Sequence, residues 1–354
     1  MLDKLVHEAL ESGSDFEAHL APRLCVVGCG GAGSNSVNRL RRTGLQGIDT
    51  MAINTDRFHL NGICSDKRLL IGEHSTRGFG TGGDSVLGEK LAYDSIGDIE
   101  SLLRDYDIVF ITAGMGGGTG TGAAPVIAEA ARKHGSIAVA LVTIPFGVEK
   151  GRMRTALNGI ARLRERAHST IILDNNKLLD IVPRLPVEQA FMVMDQLIAE
   201  VIRGVTETIC QTSMINLDFA DFRNVMVRGG ASTVLYGESE DPEKVVVEAL
   251  GNPLLDVDLD GATGALIHVT GGPSLSLRRA YHVFNGITRE LGEGANIKLG
   301  ARIDSALGQN IRLMAIVTGI SSPDPPGSDS WRLPDIDDLG FGRPPARGLA
   351  DAFG

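Results

Sequence analysis

The sequence contains few aromatic residues and few cysteines, and it has no long apolar run. Aromatic residues make up 5% of the 354 residues, with a single tryptophan. The four cysteines form no Cys-x-x-Cys pair and share no ligand spacing with the histidines, which favours reduced thiols in a cytoplasmic protein over a disulfide framework or a zinc site. No apolar run approaches the roughly 20 residues that span a membrane.

Clustered positive charge is also missing. The formal net charge is -10, and the 34 lysines and arginines are scattered. A nucleic-acid partner is therefore not expected, because neutralising phosphates needs clustered cations. The N-terminus is acidic rather than basic and then apolar, so no secretory signal is predicted. With 43% hydrophobic and 22% charged residues, the chain is typical of a soluble globular protein large enough for two domains.

Glycine, in contrast, is abundant and clustered. The run Gly114-Met115-Gly116-Gly117-Gly118-Thr119-Gly120-Thr121-Gly122 has six glycines in nine residues, between a strand-like segment at 107–113 and a helix-like one at 123–133. Nothing about packing calls for so many, since glycine costs helix and strand stability but lets a backbone approach its ligand. A glycine loop before a helix N-terminus predicts a phosphate site, to which the two threonines can add hydroxyl donors.

Two further glycine runs stand at the same kind of junction. A short strand at 24–27 leads into Gly28-Cys29-Gly30-Gly31-Ala32-Gly33 and then a helix through Arg42, which fits the dinucleotide-binding pattern G-x-G-x-x-G. The run 78–83 precedes a helical stretch at 84–104, with Asp84 or Ser85 as its N-cap. One diphosphate needs one such loop, so three predict a longer phosphate chain.

The order of strand-like and helix-like segments predicts a doubly wound α/β fold with a parallel sheet, in which ligands bind beyond the carboxyl ends of the strands. We expect an N-terminal amphipathic helix or extension at 1–22, a nucleotide-binding domain at 23–186 and a central helix at 187–212. A smaller α/β domain at 213–320 and a disordered tail at 321–354 follow. An apolar, acid-flanked cluster in this tail predicts a docking peptide or a self-packing segment: Trp331, Leu333, Ile336, Leu339 and Phe341.

Two long motifs resemble the tubulin and FtsZ family, most closely its prokaryotic members of archaeal type. They are GMGGGTGTGAAP at 114–125 and NLDFAD at 216–221, and the similarity runs from about Pro22 to Ile320. The resemblance implies GTP or GDP binding with Mg2+ in the first domain and head-to-tail polymerisation into filaments for cell division. It also implies that the loop after the long helix completes the hydrolytic site of the next subunit. The absence of a Walker lysine after the glycines agrees with this.

The resemblance implies catalytic roles for Asn216, Asp218 and Asp221. Two carboxylates at a helix start could polarise a water and help to hold Mg2+ beside the γ-phosphate. The local sequence fits ordinary capping equally well, with aspartates at N-cap and N3.

Guanine contacts are implied for Asn35, Phe191 and Asp195. An aromatic ring can stack on a purine, and an aspartate can accept hydrogen bonds from N1 and N2 of guanine but finds no such pair on adenine. A core phenylalanine and a solvated aspartate are the alternative from local sequence.

The other expected contacts surround the phosphates, the ribose and the metal. Near the ribose the sequence departs from the family, which places the arginine four residues after the glutamate and an aspartate where Asn176 stands. The full expected set is Gly30, Gly31, Gly33, Asn54, Thr55, Asp56, Gly80, Thr81, Gly82, Gly114, Gly116, Gly117, Gly118, Thr119, Gly120, Thr121 and Gly122, with Glu149, Arg152 and Asn175.

The sequence therefore predicts a self-assembling GTPase whose partners are copies of itself and, through the tail, a membrane-anchoring adaptor at the division site. A non-hydrolysing GTP-binding scaffold is the first alternative, although such a protein has no need of both aspartates. An NAD-dependent oxidoreductase is the second, with Asp56 as its ribose-binding acid. The second glycine loop at 114–122 argues against it.

Overall fold

Strands and helices alternate through the first half of the chain, as the sequence predicts. The computed structural model describes residues 22–44, 47–182, 184–210, 215, 217–227, 230–251, 259 and 261–320. The expected N-terminal helix, the tail cluster and Asn216 lie outside these residues. The first half contains β1 (Leu24–Cys29), α1 (Gly30–Arg42), β2 (Ile48–Asn54), α2 (Arg57–Asn61), β3 (Lys67–Leu70), α3 (Glu73–Thr76), α4 (Ser85–Asp94), α5 (Ile96–Leu103), β4 (Ile108–Gly114), α6 (Gly118–Lys133), β5 (Ile137–Ile144), α7 (Lys150–Arg166), β6 (Ser169–Asp174) and α8 (Lys177–Ile181).

A long helix leads into the second half, which combines helices and strands as expected for an α/β domain. Its elements are α9 (Val187–Cys210), α10 (Phe219–Val227), β7 (Gly230–Ser239), α11 (Pro242–Leu250), β8 (Gly264–Gly271), α12 (Leu277–Thr288), β9 (Asn296–Ile303), a short 3-10 turn (Ser305–Leu307) and β10 (Ile311–Thr318).

The ten strands found among the described residues belong to one sheet in the order β3-β2-β1-β4-β5-β6-β7-β10-β8-β9. The first six are parallel, and β1 lies between β2 and β4. The chain winds outward from β1 on one side and from β4 on the other, which makes the β1/β4 boundary the topological switch point where α/β sheets bind ligands. A short parallel pairing of β6 with β7 joins the two halves.

Both faces of the central strands are covered, because every residue of β1 is buried. Cys25 and Val27 pack into the cluster that includes α6 and α7, while Leu24 and Val26 pack into the cluster that includes α1 and α9. The second cluster also contains Met314 of β10, so α9 packs against strands of both halves. The long helix thus holds the two parts of the sheet together.

Two predicted boundaries are wrong. The helical stretch at 84–104 is two helices that meet at Ser95, whose φ of -106° and ψ of 17° leave the helical region. Serine competes for backbone hydrogen bonds, and Gly97 further lowers helix propensity there. The glycine run at 114–122 is also not a loop throughout, because α6 begins at Gly118 rather than after the run. Asp84 caps α4 as predicted, accepting from the N–H groups of Val86 and Leu87.

Candidate nucleotide-binding site

The carboxyl ends of β1 and β4 lie side by side at the switch point. Cys29 pairs with Ala113 in the parallel register, so the chain enters α1 and α6 from the same edge of the sheet. The N-cap residues of these helices, Cys29 and Gly117, make no side-chain capping hydrogen bond. No capping side chain therefore satisfies the first-turn N–H groups of either helix, and such groups, together with the helix dipoles, favour an anion.

Two adjoining cavities open at this edge. The first, called the glycine-lined cavity, has a volume of about 370 Å³. The second, called the helix-lined cavity, has a volume of about 390 Å³ and reaches the side of α9. The two form one elongated crevice, because they share Gly31, Ala32, His59, Gly114 and Arg152.

Most of the residues expected to contact GTP line this crevice. The glycine-lined cavity brings together Gly31, Asn54, Thr55, Asp56, Gly80, Thr81, Gly82, Gly114, Gly117, Gly118, Thr119, Gly120 and Arg152. The helix-lined cavity brings together Gly31, Asn35, Gly114, Glu149, Arg152, Asn175, Phe191 and Asp195. Five expected contacts line neither cavity: Gly30, Gly33, Gly116, Thr121 and Gly122.

Close packing explains glycines that lie behind the crevice. A Cβ on Gly122 would clash with the backbone of Ser85 and Glu89, where α4 lies against α6. A Cβ on Gly33 would clash with the carbonyl of Thr112 on β4. The expectation that packing does not call for the glycines of the 114–122 run is therefore wrong for Gly122. Part of the run lets two helices approach, and part lines the crevice.

The two threonines of the run also differ in their surroundings. Thr119 lines the glycine-lined cavity, and its Oγ1 lies 2.6 Å from Thr55 Oγ1. Thr121 is fully buried, and its Oγ1 accepts a 2.8 Å hydrogen bond from the Gly116 N–H. The Thr121 hydroxyl therefore supports the backbone of the run, while that of Thr119 lies at the crevice.

A carboxylate and an aromatic ring from α9 lie at the far end of the crevice. Asp195 Oδ1 accepts a 2.5 Å hydrogen bond from Ser36 Oγ, and its Oδ2 lies 3.9 Å from Arg39 Nε. Burial raises the pKa of Asp195, although Ser36 and Arg39 both act to lower it. The Phe191 ring packs against Phe146 with ring centroids 5.9 Å apart. Phe191 and Asp195 thus present one face of α9 to the same cavity.

Asn175 and the start of α7 complete the helix-lined cavity. Asn175 is 8% exposed, and its buried Oδ1 has no hydrogen-bond partner among the described residues, which is unusual for a native protein. Glu149 forms an ion pair with Arg152 one helical turn later and accepts from the Phe146 N–H at 3.2 Å. The three-residue spacing, although it departs from the family, still brings both side chains to the crevice.

His59 is a crevice residue that sequence reasoning missed. It lines both cavities and hydrogen bonds to Asn35 and to Asn54. No local signal marks it, because Asn35 lies in the helix after β1 and Asn54 ends β2, so that the two meet only when β1 and β2 pair.

The predicted catalytic aspartates lie at the start of α10 and line neither cavity of their own chain. Asp218 is exposed and accepts a 2.7 Å hydrogen bond from the Asp221 N–H, which is the capping contact that local sequence suggested. Asp221 forms an ion pair with Lys298 of β9. The chain just before them is fixed by backbone hydrogen bonds between Ile215 and Ala301.

These features define a nucleotide-binding protein with a doubly wound sheet. The end of its crevice formed by two uncapped helix N-termini is the candidate phosphate end, and the other end carries a carboxylate beside an aromatic ring. Within the described residues, no helix is both long and apolar enough to cross a bilayer.

Comparison with known proteins identifies the family. Residues 23–183 match the model of the Tubulin/FtsZ family GTPase domain, and residues 229–321 match that of the FtsZ family C-terminal domain. The chain belongs to the tubulin/FtsZ family, which confirms the resemblance and the predicted fold class. This membership does not favour an oxidoreductase.

The chain is similar to several archaeal proteins over most of its length. It is 50% identical over 338 residues to "Cell division protein FtsZ 2" of Methanocaldococcus jannaschii, covering 92% of this chain and 89% of that protein. It is 49% identical over 317 residues to the protein of the same name from Halobacterium salinarum, covering 89% and 81%. A structure described as an empty FtsZ dimer of M. jannaschii superposes with a TM-score of 0.79 at 42% identity, covering 90% and 92%.

Proposed function

We propose that the chain is a GTP-dependent, self-assembling GTPase of the FtsZ type that hydrolyses GTP to GDP and phosphate at subunit interfaces during cell division. The observation that carries this proposal is the elongated crevice, which joins two uncapped helix N-termini to the carboxylate of Asp195. The helix N-termini suit phosphates, and a carboxylate suits the N1–H and N2–H donors of guanine. The family membership and the names of the archaeal relatives support the same activity.

Mg2+ would bind at the phosphate end of the crevice. This ion commonly takes one or two carboxylates, with phosphate oxygens and waters as its other ligands. Asp56 supplies one carboxylate to the glycine-lined cavity, and its Oδ1 accepts from the His59 N–H at 3.0 Å, which is its one side-chain hydrogen bond within the described part of the chain. One carboxylate, together with phosphate oxygens and waters, is a ligand set that fits Mg2+. When bound, Mg2+ would neutralise charge on the phosphates.

The catalytic acids would come from the next copy of the chain. Asp218 and Asp221 line neither cavity of their own chain, so hydrolysis needs a second copy if they act on the γ-phosphate. Bulky apolar side chains stand exposed at the crevice mouth, with Phe79 at 85%, and also on α12, with Leu277 at 79%. Exposed apolar surface of this kind is typical of protein contacts. The M. jannaschii relative described as a dimer supports self-association.

Turnover measured against protein concentration tests the interface mechanism. Phosphate release per subunit should rise steeply with concentration as filaments form in GTP and Mg2+, and electron microscopy should detect filaments with GTP and few with GDP. A rate per subunit that is independent of concentration, with no filaments, would contradict the mechanism.

The tail would bind a membrane-anchoring adaptor and bring cytoplasmic filaments to the division site. The proposal rests on the apolar, acid-flanked cluster at 331–341 in the sequence. Deletion of residues 321–354 should leave GTP turnover intact and abolish localisation of the tagged chain. Unchanged localisation would contradict the adaptor role.

A further inference from the structure

A chain of hydrogen bonds links the phosphate end of the crevice to its base end through His59. Asn54 Nδ2 lies 3.3 Å from His59 Nδ1, and His59 Nε2 lies 3.1 Å from Asn35 Oδ1. Asn54 is buried and lines the glycine-lined cavity, whereas Asn35 lines the helix-lined cavity. His59 lies where the two cavities meet.

The donors and acceptors in this series of hydrogen bonds follow from the side-chain amide of Asn54, whose orientation is fixed. Asn54 Oδ1 accepts from two backbone N–H groups, those of Thr55 at 2.9 Å and Asp56 at 3.3 Å. Its Nδ2 must therefore point to His59 and donate to Nδ1. A neutral imidazole that accepts at Nδ1 carries its proton on Nε2, so Nε2 donates to Asn35 Oδ1.

The result is a defined orientation of the Asn35 amide. Its oxygen is engaged by His59, and among the described residues no hydrogen bond uses its Nδ2. An asparagine side chain without this contact can rotate or exchange its oxygen and nitrogen ends at little cost. With the contact, Asn35 keeps an N–H donor available on the wall of the helix-lined cavity.

We propose that His59 is a positioning residue that fixes the Asn35 amide so that its Nδ2 donates to the bound guanine nucleotide. The proposal rests on the proposed function, since it concerns how the same crevice holds GTP or GDP. His59 acts through Asn35 and needs no contact of its own with the nucleotide.

A double-mutant cycle on GDP affinity tests the proposal. GDP is the probe, and calorimetric titration of the nucleotide-free full chain gives its affinity. His59→Leu should weaken GDP binding about fivefold, the order of one net hydrogen bond. Asn35→Ala should weaken it by at least as much. Because His59 acts through Asn35, the double variant should bind no more weakly than Asn35→Ala alone.

Two further variants and a stability measurement serve as controls for the double-mutant cycle. His59→Gln retains one acceptor and one donor group and should recover much of the affinity lost in His59→Leu. His74→Leu, an exposed histidine on α3, should leave the affinity unchanged. Thermal unfolding of each variant identifies any affinity loss that comes from misfolding.

Additive losses in the cycle would mean that His59 contacts the nucleotide itself and would overturn the positioning role. Unchanged affinity in His59→Leu would overturn it as well. Failure of the unmodified chain to bind GDP would instead remove the proposed function, and the inference with it.

Discussion

Lys298 Nζ lies 2.7 Å from Asp221 Oδ1, and both side chains are partly buried. The ion pair ties the start of α10 to β9, so one of the two proposed catalytic acids is held in place by its own chain. Asp218 has no such partner among the described residues and projects from the same helix start. The two acids therefore differ, because Asp221 is held by an ion pair with a lysine, whereas Asp218 has no ion-pair partner among the described residues.

Lys298→Gln should slow GTP hydrolysis about tenfold while leaving GTP affinity unchanged, since a small displacement of a catalytic group costs rate more than binding. The ion pair would be lost, and Asp221 would no longer keep its position. Phosphate release above the assembly concentration provides the measurement, with Lys298→Arg as the control that keeps a cation. An unchanged rate in Lys298→Gln would show that the ion pair does not serve hydrolysis.

Gly122→Ala and Gly31→Ala should separate the role of glycine in helix packing from its role in nucleotide binding. A Cβ at Gly122 meets the backbone of α4, so unfolding free energy should fall by about 1–3 kcal/mol, as for overpacked cores. A Cβ at Gly31 has nothing within 4 Å, but it projects at the crevice wall. Gly31→Ala should therefore keep full stability and weaken GTP binding. Chemical denaturation and nucleotide titration of both variants check the pair, and the reverse pattern would contradict it.

Asp195→Asn should change the preferred base. In the proposed complex the carboxylate would accept from N1–H and N2–H of guanine, whereas an asparagine offers an N–H donor that matches the 2-oxo group of xanthine. Binding of GTP should fall by about 100-fold, because the donors of guanine lose a charged acceptor, while XTP should bind more tightly than to the unmodified chain. Competition titrations with both nucleotides measure the switch, and Asp98→Asn on α5 is the matched control on a helix away from the crevice. Equal losses for GTP and XTP would contradict a base contact.

GTP binding should weaken as the pH falls through the pKa of Asp195. The protonated carboxyl lacks the charge that attracts the guanine donors, and burial raises this pKa, so the loss should begin at a less acidic pH than for an ordinary aspartate. Affinity is full above the raised pKa and lost below it. Titrations across the acidic range check the profile. The residual GTP affinity of Asp195→Asn should not show this pH-dependent loss. If the loss persists in that variant, the titration of another group causes it.

Local sequence predicted the glycine-rich lining of the crevice because its main parts are continuous in the chain, whereas Asn35, Phe191 and Asp195 were expected from the resemblance to the family. Each glycine run opens a helix, and the first and the third directly follow a strand, so the motifs expected to contact the phosphates are visible one at a time. Contacts between distant segments were not visible. Gly122 needs to be glycine because of α4, and His59 matters because β1 and β2 bring Asn35 and Asn54 together. Lys298 reaches Asp221 only through the packing of α10 against β9.

Mixed filaments of two variants should show whether the acids act on the neighbouring subunit. Asp218→Asn keeps the crevice for GTP but lacks a catalytic acid. Asp195→Asn keeps both acids but should prefer XTP, and a non-hydrolysable XTP analogue allows it to assemble without turnover.

With GTP and this analogue present, neither chain alone should release phosphate from GTP at an appreciable rate, because one lacks the acid and the other binds GTP poorly. The mixture should release it, since the intact Asp218 of one chain then faces the GTP of the next. Co-sedimentation verifies that both chains enter the same filaments, and mixed filaments without phosphate release would show that the acid does not act across the interface.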